Sequence, residues 1–166
     1  MSEQIFAYGS NMCSGRFRDY GVQPEGAGRG ALLVGYRLLF NKQSTDGSGK
    51  ANVETHEGSL VWGVLYSVPD ADLQLLDNGE VGYHRLRLRV RTADNVDEEP
   101  WVYVATAPSN DPSLRPYAWY KRFIVEGARE HQLPDEYFAS LENIEAVQDA
   151  NAVRDRRKRE LACQAQ

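Results

Sequence analysis

The amino-acid sequence predicts an α+β fold: a single domain in which a curved mixed sheet or a small closed β-barrel is flanked by helices. The order of the elements carries this prediction, because strand patterns dominate as far as Thr106 and helical patterns follow Pro116. The length of 166 residues is that of one ordinary domain with its own core. We place this domain at residues 1–147 and treat residues 148–166 as a charged C-terminal tail.

Apolar residues at period two, or in short runs, predict strands at residues 4–8, 31–40, 60–68, 84–92 and 101–106. In the second strand we expect one face to meet the core: Leu32, Val34, Tyr36, Leu38 and Phe40. In the fourth, three apolar residues alternate with four arginines, which we interpret as solvated or paired with nearby acids. The fifth strand is the expected hairpin partner of the fourth.

Glycine-rich and polar segments predict the connections. Residues 22–30 are expected to form a loop. Residues 41–52 should form a mobile loop, either a flap that faces a substrate or a plain exposed connection. A short helical turn is expected at residues 13–20, and a short helix after Pro69 should stop where Gly79 takes a left-handed conformation. Further helices should follow Pro116 and Pro134.

The composition restricts the partners and the compartment. With 19 basic and 24 acidic residues the formal net charge is -5, which argues against a nucleic-acid-binding surface over the whole molecule. The basic run from Arg154 to Arg159 is most simply a solvated helix end, with a local contact to a partner left open. No apolar run approaches the roughly 20 residues that cross a bilayer, and the first residues lack a secretory signal. Two cysteines, Cys13 and Cys163, form no disulfide framework, so we expect a cytoplasmic protein.

Two stretches carry candidate chemistry. In Tyr8-Gly9-Ser10-Asn11-Met12 a strand runs into a turn that either ends the strand or gathers backbone N–H groups around a ligand. Glu80 follows a helix end and precedes a strand, as a catalytic acid or as a surface acid paired with Arg85. Cys13 is a weaker candidate as a nucleophile, since no histidine lies near it in the sequence. Nucleophile-elbow, phosphate-loop and metal-ligand spacings are missing.

Taken together, these motifs resemble the γ-glutamylcyclotransferase family, whose fold is also called AIG2-like. The resemblance rests on the turn at residues 8–12, on the Leu-Asp-x-x-Glu run that ends at Glu80, and on three downstream elements: Tyr120-Lys121-Arg122, Gly127-Ala128 and Leu133-Pro134-x-x-Tyr137. The order and spacing match from about Phe6 to about Glu145. The resemblance implies an enzyme without cofactor or metal that cyclises a γ-glutamyl group to 5-oxoproline and releases the attached amine.

The resemblance also implies roles for individual residues. Glu80 would be the general acid and base, and the substrate would be held by Tyr8, Gly9, Ser10, Asn11, Met12, Tyr83 and Tyr120. For Tyr8 and Tyr120 a role as core aromatics is equally open. The implied partner is a small γ-glutamyl substrate, and the chain would be a monomer or a homodimer. The run from Glu80 to Arg85 resembles the γ-glutamylamine branch as much as the dipeptide branch, which leaves the released amine undetermined. The alternative function is a non-catalytic module that binds a small molecule or an acyl-peptide group.

Overall fold

The computed structural model describes residues 1–163, with Cys163 described by its backbone alone. The prediction for the Cys163 thiol and the end of the charged tail, residues 164–166, therefore lie outside the described residues. The strands are β1 (Ser2–Ala7), β2 (Glu25–Gln43), β3 (Gly49–Pro69), β4 (Tyr83–Arg87), β5 (Val90–Thr92), β6 (Asp97–Glu98) and β7 (Trp101–Ala105). The helices are α1 (Ser14–Tyr20), α2 (Leu73–Gly79), α3 (Ala118–Glu130), α4 (Asp135–Glu142) and α5 (Ala152–Cys163).

The strands form a single mixed sheet in the order β4-β7-β1-β3-β2-β5-β6, curled into a half-barrel. β3 is its central strand: it pairs antiparallel with β1 and with β2, while β1 and β7 pair in parallel. The largest fully buried side chains include Phe6 on β1, Leu65 on β3, and Phe123 on α3. The predicted α+β fold with one domain is confirmed, as are the helices that follow Pro116 and Pro134. No helix within the described residues is both long enough and apolar enough to cross a membrane.

The predicted loop at residues 22–30 is wrong, because β2 already begins at Glu25. Its pairing with β3 shifts register between Glu25 and Arg29, where Gly26 has a φ of 71°. Gly28 then lies so close to its neighbours that a Cβ would come within 2.5 Å of Val64 Cγ1. Glycines that looked like loop residues serve here to bend a strand and to let side chains pack against its backbone.

The predicted inward face of β2 is also partly wrong. Ala31 and Leu33 are fully buried, whereas Val34 is 58% exposed. A second register shift lies between Val34 and Tyr36, around Gly35 with a φ of 80°. A bulge adds one residue to one strand and so exchanges its two faces. Beyond it the inward set is the predicted one: Tyr36, Leu38 and Phe40.

The predicted mobile loop at residues 41–52 is instead the tip of a hairpin. Lys42 pairs with Lys50 and Gln43 with Gly49, so the turn itself spans residues 44–48. Asp46 closes it by accepting hydrogen bonds from the backbone N–H and the hydroxyl of Ser48, at 2.9 and 2.6 Å. A Cβ on Gly49 would lie 2.2 Å from Phe40 O, which explains a glycine within this strand. Lys42 on β2 and Lys50 on β3 therefore lie on paired strands and not in a loop.

The arginine-bearing segment is two strands rather than one. β4 pairs with β7, as expected of the hairpin, but β5 turns away to pair with β2 and β6. As a result Leu86 is 41% exposed while Val90 is buried. The arginines are paired with acids, for example Arg87 with Glu3 at 2.6 Å.

Within the charged tail, helix α5 spans Ala152–Cys163 and contacts α1 and α3. Asp149, 3% exposed, anchors its start by accepting hydrogen bonds from Arg154 at 2.6 and 2.7 Å and from Trp119 Nε1 at 2.9 Å. Arg154 holds the pKa of this carboxyl well below its usual range. The boundary between residues 147 and 148 stays a prediction.

Candidate active site

The first half of the site is the turn that follows β1. Gly9 leads into a single 3-10 turn, Ser10–Met12, which is closed by Met12 N donating to Gly9 O at 3.1 Å and Cys13 N to Ser10 O at 3.2 Å. A Cβ on Gly9 would lie 3.0 Å from the Cβ of Ala51 and 3.3 Å from Tyr120 Oη. Because Gly9 has no side chain, β3 and α3 pack directly against the turn.

Helix α3 supports this turn from behind. Gly127 faces its backbone, and an added Cβ there would come within 2.5 Å of Met12 C and 2.6 Å of Cys13 N. Tyr66 Oη donates to Met12 O at 2.6 Å from the strand side. Since both contacts act on backbone atoms, the position of the turn is fixed independently of its side chains.

The second half of the site is Glu80, which caps the C-terminal end of α2. Its N–H donates to Leu76 O at 3.0 Å, and its carbonyl accepts from Tyr83 N at 3.1 Å, so the residue is held on both sides. Gly79 ends the helix, but its φ is not positive as predicted, and the left-handed residue is Gly82 with a φ of 84°. Gly79 is needed for another reason: a Cβ would lie 2.6 Å from the Tyr20 ring.

The two halves are in contact. Asn11 Nδ2 donates to Glu80 Oε1 at 2.7 Å. Asn11 Oδ1 is buried and has no hydrogen-bond partner among the described residues. A buried acceptor without a partner is costly in a protein interior, and such groups are found where a ligand or water binds.

A chain of side chains fixes the end of α2 relative to the sheet. Tyr8 Oη donates to Tyr103 O at 2.5 Å, and Tyr103 Oη donates to Asp77 Oδ1 at 2.6 Å. Asp77 is also paired with Arg85, whose Nε lies 3.0 Å from Oδ1. Arg85 therefore pairs with Asp77 and leaves Glu80 free of the surface ion pair that the sequence also allowed.

Tyr83 and Tyr120 hold the backbone of β3 at the same residue. Tyr83 Oη donates to Ala51 O at 2.7 Å, and Ala51 N donates to Tyr120 Oη at 3.0 Å. Burial raises the pKa of Tyr120 to about 12, and it raises the pKa of Tyr83 strongly. Both hydroxyls are therefore neutral at physiological pH.

The electrostatics of Glu80 differ from those of a surface acid. Burial raises the pKa of its carboxyl group, against the opposing effects of the Asn11 hydrogen bond, the Arg16 charge and a hydrogen bond with Tyr20. By surface area the residue is half-buried, because one side of it borders a pocket. A carboxyl group with a raised pKa holds a proton more readily than a surface acid, which suits a group that both accepts and returns a proton.

Two adjoining cavities meet at this carboxyl group. The inner one, about 30 Å³, is lined by the turn, by Glu80 and by tyrosines: Tyr8, Tyr83, Tyr103 and Tyr120. The outer one, about 230 Å³, shares Ser10, Glu80, Tyr83 and Tyr120 with it, and we call it the outer chamber. A larger groove of about 570 Å³ lies elsewhere, beside Tyr66 and His131, and contains none of the predicted site residues.

The structure thus brings seven of the predicted site residues to one place: Tyr8, Gly9, Ser10, Asn11, Glu80, Tyr83 and Tyr120. Met12 is fully buried behind the turn and does not line either cavity. Cys13 is also fully buried, and burial raises its pKa to about 11. Because the thiolate is the nucleophilic form, this residue is an unsuitable nucleophile.

The residues lining the outer chamber that sequence reasoning missed include three basic residues and a tyrosine: Arg16, Lys42, Lys50 and Tyr20. Arg16 and Tyr20 lie on the short helix directly after the turn, and the two lysines lie in the segment predicted as a loop. No local sequence pattern marked these residues, since the fit of the Tyr20 ring against Gly79 beside Glu80 is a tertiary contact.

Fold and site together define a small α+β protein in which a backbone turn and a half-buried acid enclose a polar pocket. The AIG2-like family model matches residues 60–141. The human protein named gamma-glutamylcyclotransferase is 31% identical over 150 residues, covering 84% of this chain and 77% of that protein. The bovine protein of the same name is 30% identical over 156 residues, again covering 84% of this chain and 77% of that protein. A solved structure named gamma-glutamyl cyclotransferase superposes with a TM-score of 0.85 at 26% identity, covering 99% of each chain. This chain belongs to the γ-glutamylcyclotransferase family.

Proposed function

We propose that this protein is a γ-glutamylcyclotransferase, which converts a γ-glutamyl amide into 5-oxoproline and a free amine with Glu80 as the general acid and base. The observation that carries the proposal is the placement of Glu80. Its carboxyl group has a raised pKa, lies in a pocket and is joined at 2.7 Å to Asn11 of the backbone turn. The relatives named gamma-glutamylcyclotransferase support the same activity.

The reaction needs little from the protein in the way of covalent chemistry. In a γ-glutamyl amide the nucleophile is the substrate's own α-amine, which attacks the δ-carbonyl carbon and closes a five-membered ring. The task of the enzyme is to bend the substrate so that these atoms approach within bonding reach. This requirement suits a rigid pocket formed by a backbone turn and neutral tyrosine hydroxyls.

Glu80 would relay protons from the α-nitrogen to the leaving nitrogen. As the carboxylate it takes one proton from the α-ammonium group, and the freed amine forms the new N–C bond. As the carboxylic acid it gives that proton to the amine nitrogen of the leaving group while the original C–N bond breaks. The ring nitrogen still carries a second proton, which the carboxylate of Glu80 takes and passes to the released amine, so that this product leaves as the ammonium ion. The same group must lose and regain a proton in each turnover, which its raised pKa favours.

The turn would stabilise the negative charge that develops on the carbonyl oxygen. The amides of Met12 and Cys13 are used within the turn, whereas those of Ser10 and Asn11 precede its first hydrogen bond and would donate to the ligand. In other enzymes one such donor contributes ~3 kcal/mol to the transition state. The Tyr83 and Tyr120 hydroxyls would line the opposite side.

Product identification with the wild-type protein tests this proposal. Purified protein is incubated with γ-glutamyl-alanine and with a γ-glutamylamine, and 5-oxoproline and glutamate are measured separately. We expect 5-oxoproline without glutamate, and no product from the α-N-acetylated form of the same dipeptide, whose nitrogen cannot attack. Glutamate as the product, or no turnover of either compound, would contradict the proposal. Binding of γ-glutamyl-alanine without turnover would favour the non-catalytic alternative.

A further inference from the structure

The outer chamber carries more positive than negative charge. Among its lining residues Arg16, Lys42 and Lys50 are basic, and Glu80 is the acid. Lys50 is occupied by Asp46 and Ser48, which accept from its Nζ at 2.9 and 2.8 Å, and burial lowers its pKa to about 8. Arg16 and Lys42, whose Nζ lies 5.4 Å from the centre of the Tyr83 ring, are then the chamber's other two cations, and Arg16 is the one linked through Asp19 to helix α5.

Arg16 is held in place by Asp19 and by aromatic rings. Its Nη1 lies 2.5 Å from Asp19 Oδ2, and its guanidinium group stacks 4.5 Å from the centre of the Tyr20 ring and 5.7 Å from that of Phe123. Its Nε is buried and has no acceptor among the described residues. A fixed guanidinium group with an unused donor is suited to bind a carboxylate.

Contacts from helix α5 determine how far Asp19 neutralises the positive charge of Arg16. Asp19 also accepts hydrogen bonds from Lys158 Nζ at 2.5 Å and from Arg157 Nη2 at 3.1 Å, both on α5. Without α5, Arg16 and Asp19 would form a neutral pair. With α5, one carboxylate is shared among three cations, and the chamber side of Arg16 remains positive.

We propose that helix α5 sets the substrate preference of the pocket: through Asp19, Lys158 and Arg157 hold Arg16 as the group that binds an anionic leaving group in the outer chamber. The preferred substrates are then γ-glutamyl compounds whose released amine bears a carboxylate next to the scissile bond. This inference rests on the proposed function, and Lys158 and Arg157 are positioning residues because they act through Asp19 and Arg16.

The test compares two substrates that differ by one charge, γ-glutamyl-alanine and γ-glutamyl-alaninamide. We expect wild-type kcat/KM to favour the acid by about tenfold, the value of one charge-assisted hydrogen bond, with the difference mainly in KM. The double variant Arg157→Gln/Lys158→Gln should lose most of this preference, and Lys158→Arg should keep it. Arg156→Gln, an exposed residue on the same helix, is the matched control and should leave both substrates unchanged.

The outcomes separate the two proposals. Equal wild-type turnover of acid and amide would overturn the specificity inference and leave the proposed function intact. A preference that survives in the double variant, while its Tm matches that of the Arg156→Gln control, would also overturn it. If kcat/KM falls by the same factor for both substrates in the double variant, α5 has a structural role only and the specificity inference is overturned. If the wild-type protein turns over neither substrate, the proposed function fails as well.

Discussion

Asn11 Nδ2 and Glu80 Oε1 are 2.7 Å apart although the two residues are separated by 69 positions in the chain. This hydrogen bond joins the turn after β1 to the end of α2, and it is the contact through which the two halves of the candidate site influence each other. Because Asn11 donates to the carboxylate, it favours the charged form and opposes the effect of burial on the pKa of Glu80.

Removing this donor should change the pH dependence of the enzyme. In Asn11→Ala the pKa of Glu80 should rise further, so the acid limb of the kcat/KM profile should move to higher pH. At neutral pH kcat/KM should fall by about tenfold, in line with the loss of one hydrogen bond to a charged group. Asn11→Asp places a second carboxyl group at this position and should move the limb further in the same direction. An acid limb that stays in place in both variants would contradict this prediction.

Glu80 should cost the protein stability at neutral pH. Its folded-state pKa is raised, so between the unfolded and folded pKa values the folded state binds more protons, and stability increases as the pH falls. Glu80→Gln should therefore have a higher Tm than the wild type above the folded pKa. This gain should shrink as the pH falls and should vanish below the unfolded pKa.

The difference in Tm between Glu80→Gln and the wild type is measured by thermal unfolding at pH values from below the unfolded pKa of Glu80 to above its folded pKa. The exposed Glu57→Gln is the control for a lost surface charge. A Glu80→Gln variant that is less stable than the wild type by the same amount at every pH would contradict it.

Gly127→Ala should destabilise the protein and disturb the site. In a helix alanine is normally the better residue, but here the new Cβ would lie 2.5 Å from Met12 C, a backbone atom that cannot rotate away. We expect a loss of about 2 kcal/mol or more in the free energy of unfolding, typical of overpacking, together with reduced turnover. Gly30→Ala is the matched control, because its Cβ would meet only the side-chain atom Leu133 Cδ2 at 3.2 Å. Similar losses in both variants, measured by urea unfolding, would contradict the prediction.

Much of the fold was predictable because its signals are local. The alternation of apolar residues predicted the antiparallel pairing of β4 with β7, and Pro116 and Pro134 marked the starts of α3 and α4. The errors lie where a glycine changes a strand without ending it. The bulge at Gly35 exchanges the faces of β2. Gly49 lies within a hairpin whose polar, glycine-rich sequence we interpreted as a loop. Such bulges depend on the partner strand, which a single sequence does not reveal.

The candidate site was predictable in its motifs but not in its surroundings. The turn at residues 8–12 and Glu80 carry recognisable local patterns, and the structure brings them together. Arg16 and Lys50 belong to the site only through tertiary packing, and Asp19 reaches α5 across 139 positions of the chain. Ion pairs of this kind have no sequence pattern, since any charged residue on a helix surface could form them.

Turnover of γ-glutamyl-alanine by the wild type and by Glu80→Gln, measured side by side as 5-oxoproline release, tests the central claim most directly. If Glu80 transfers the proton, kcat should fall by about 10²–10⁴-fold in the variant, which should remain folded and should still bind the dipeptide. A Glu80→Gln protein that releases 5-oxoproline at the wild-type rate would contradict the account.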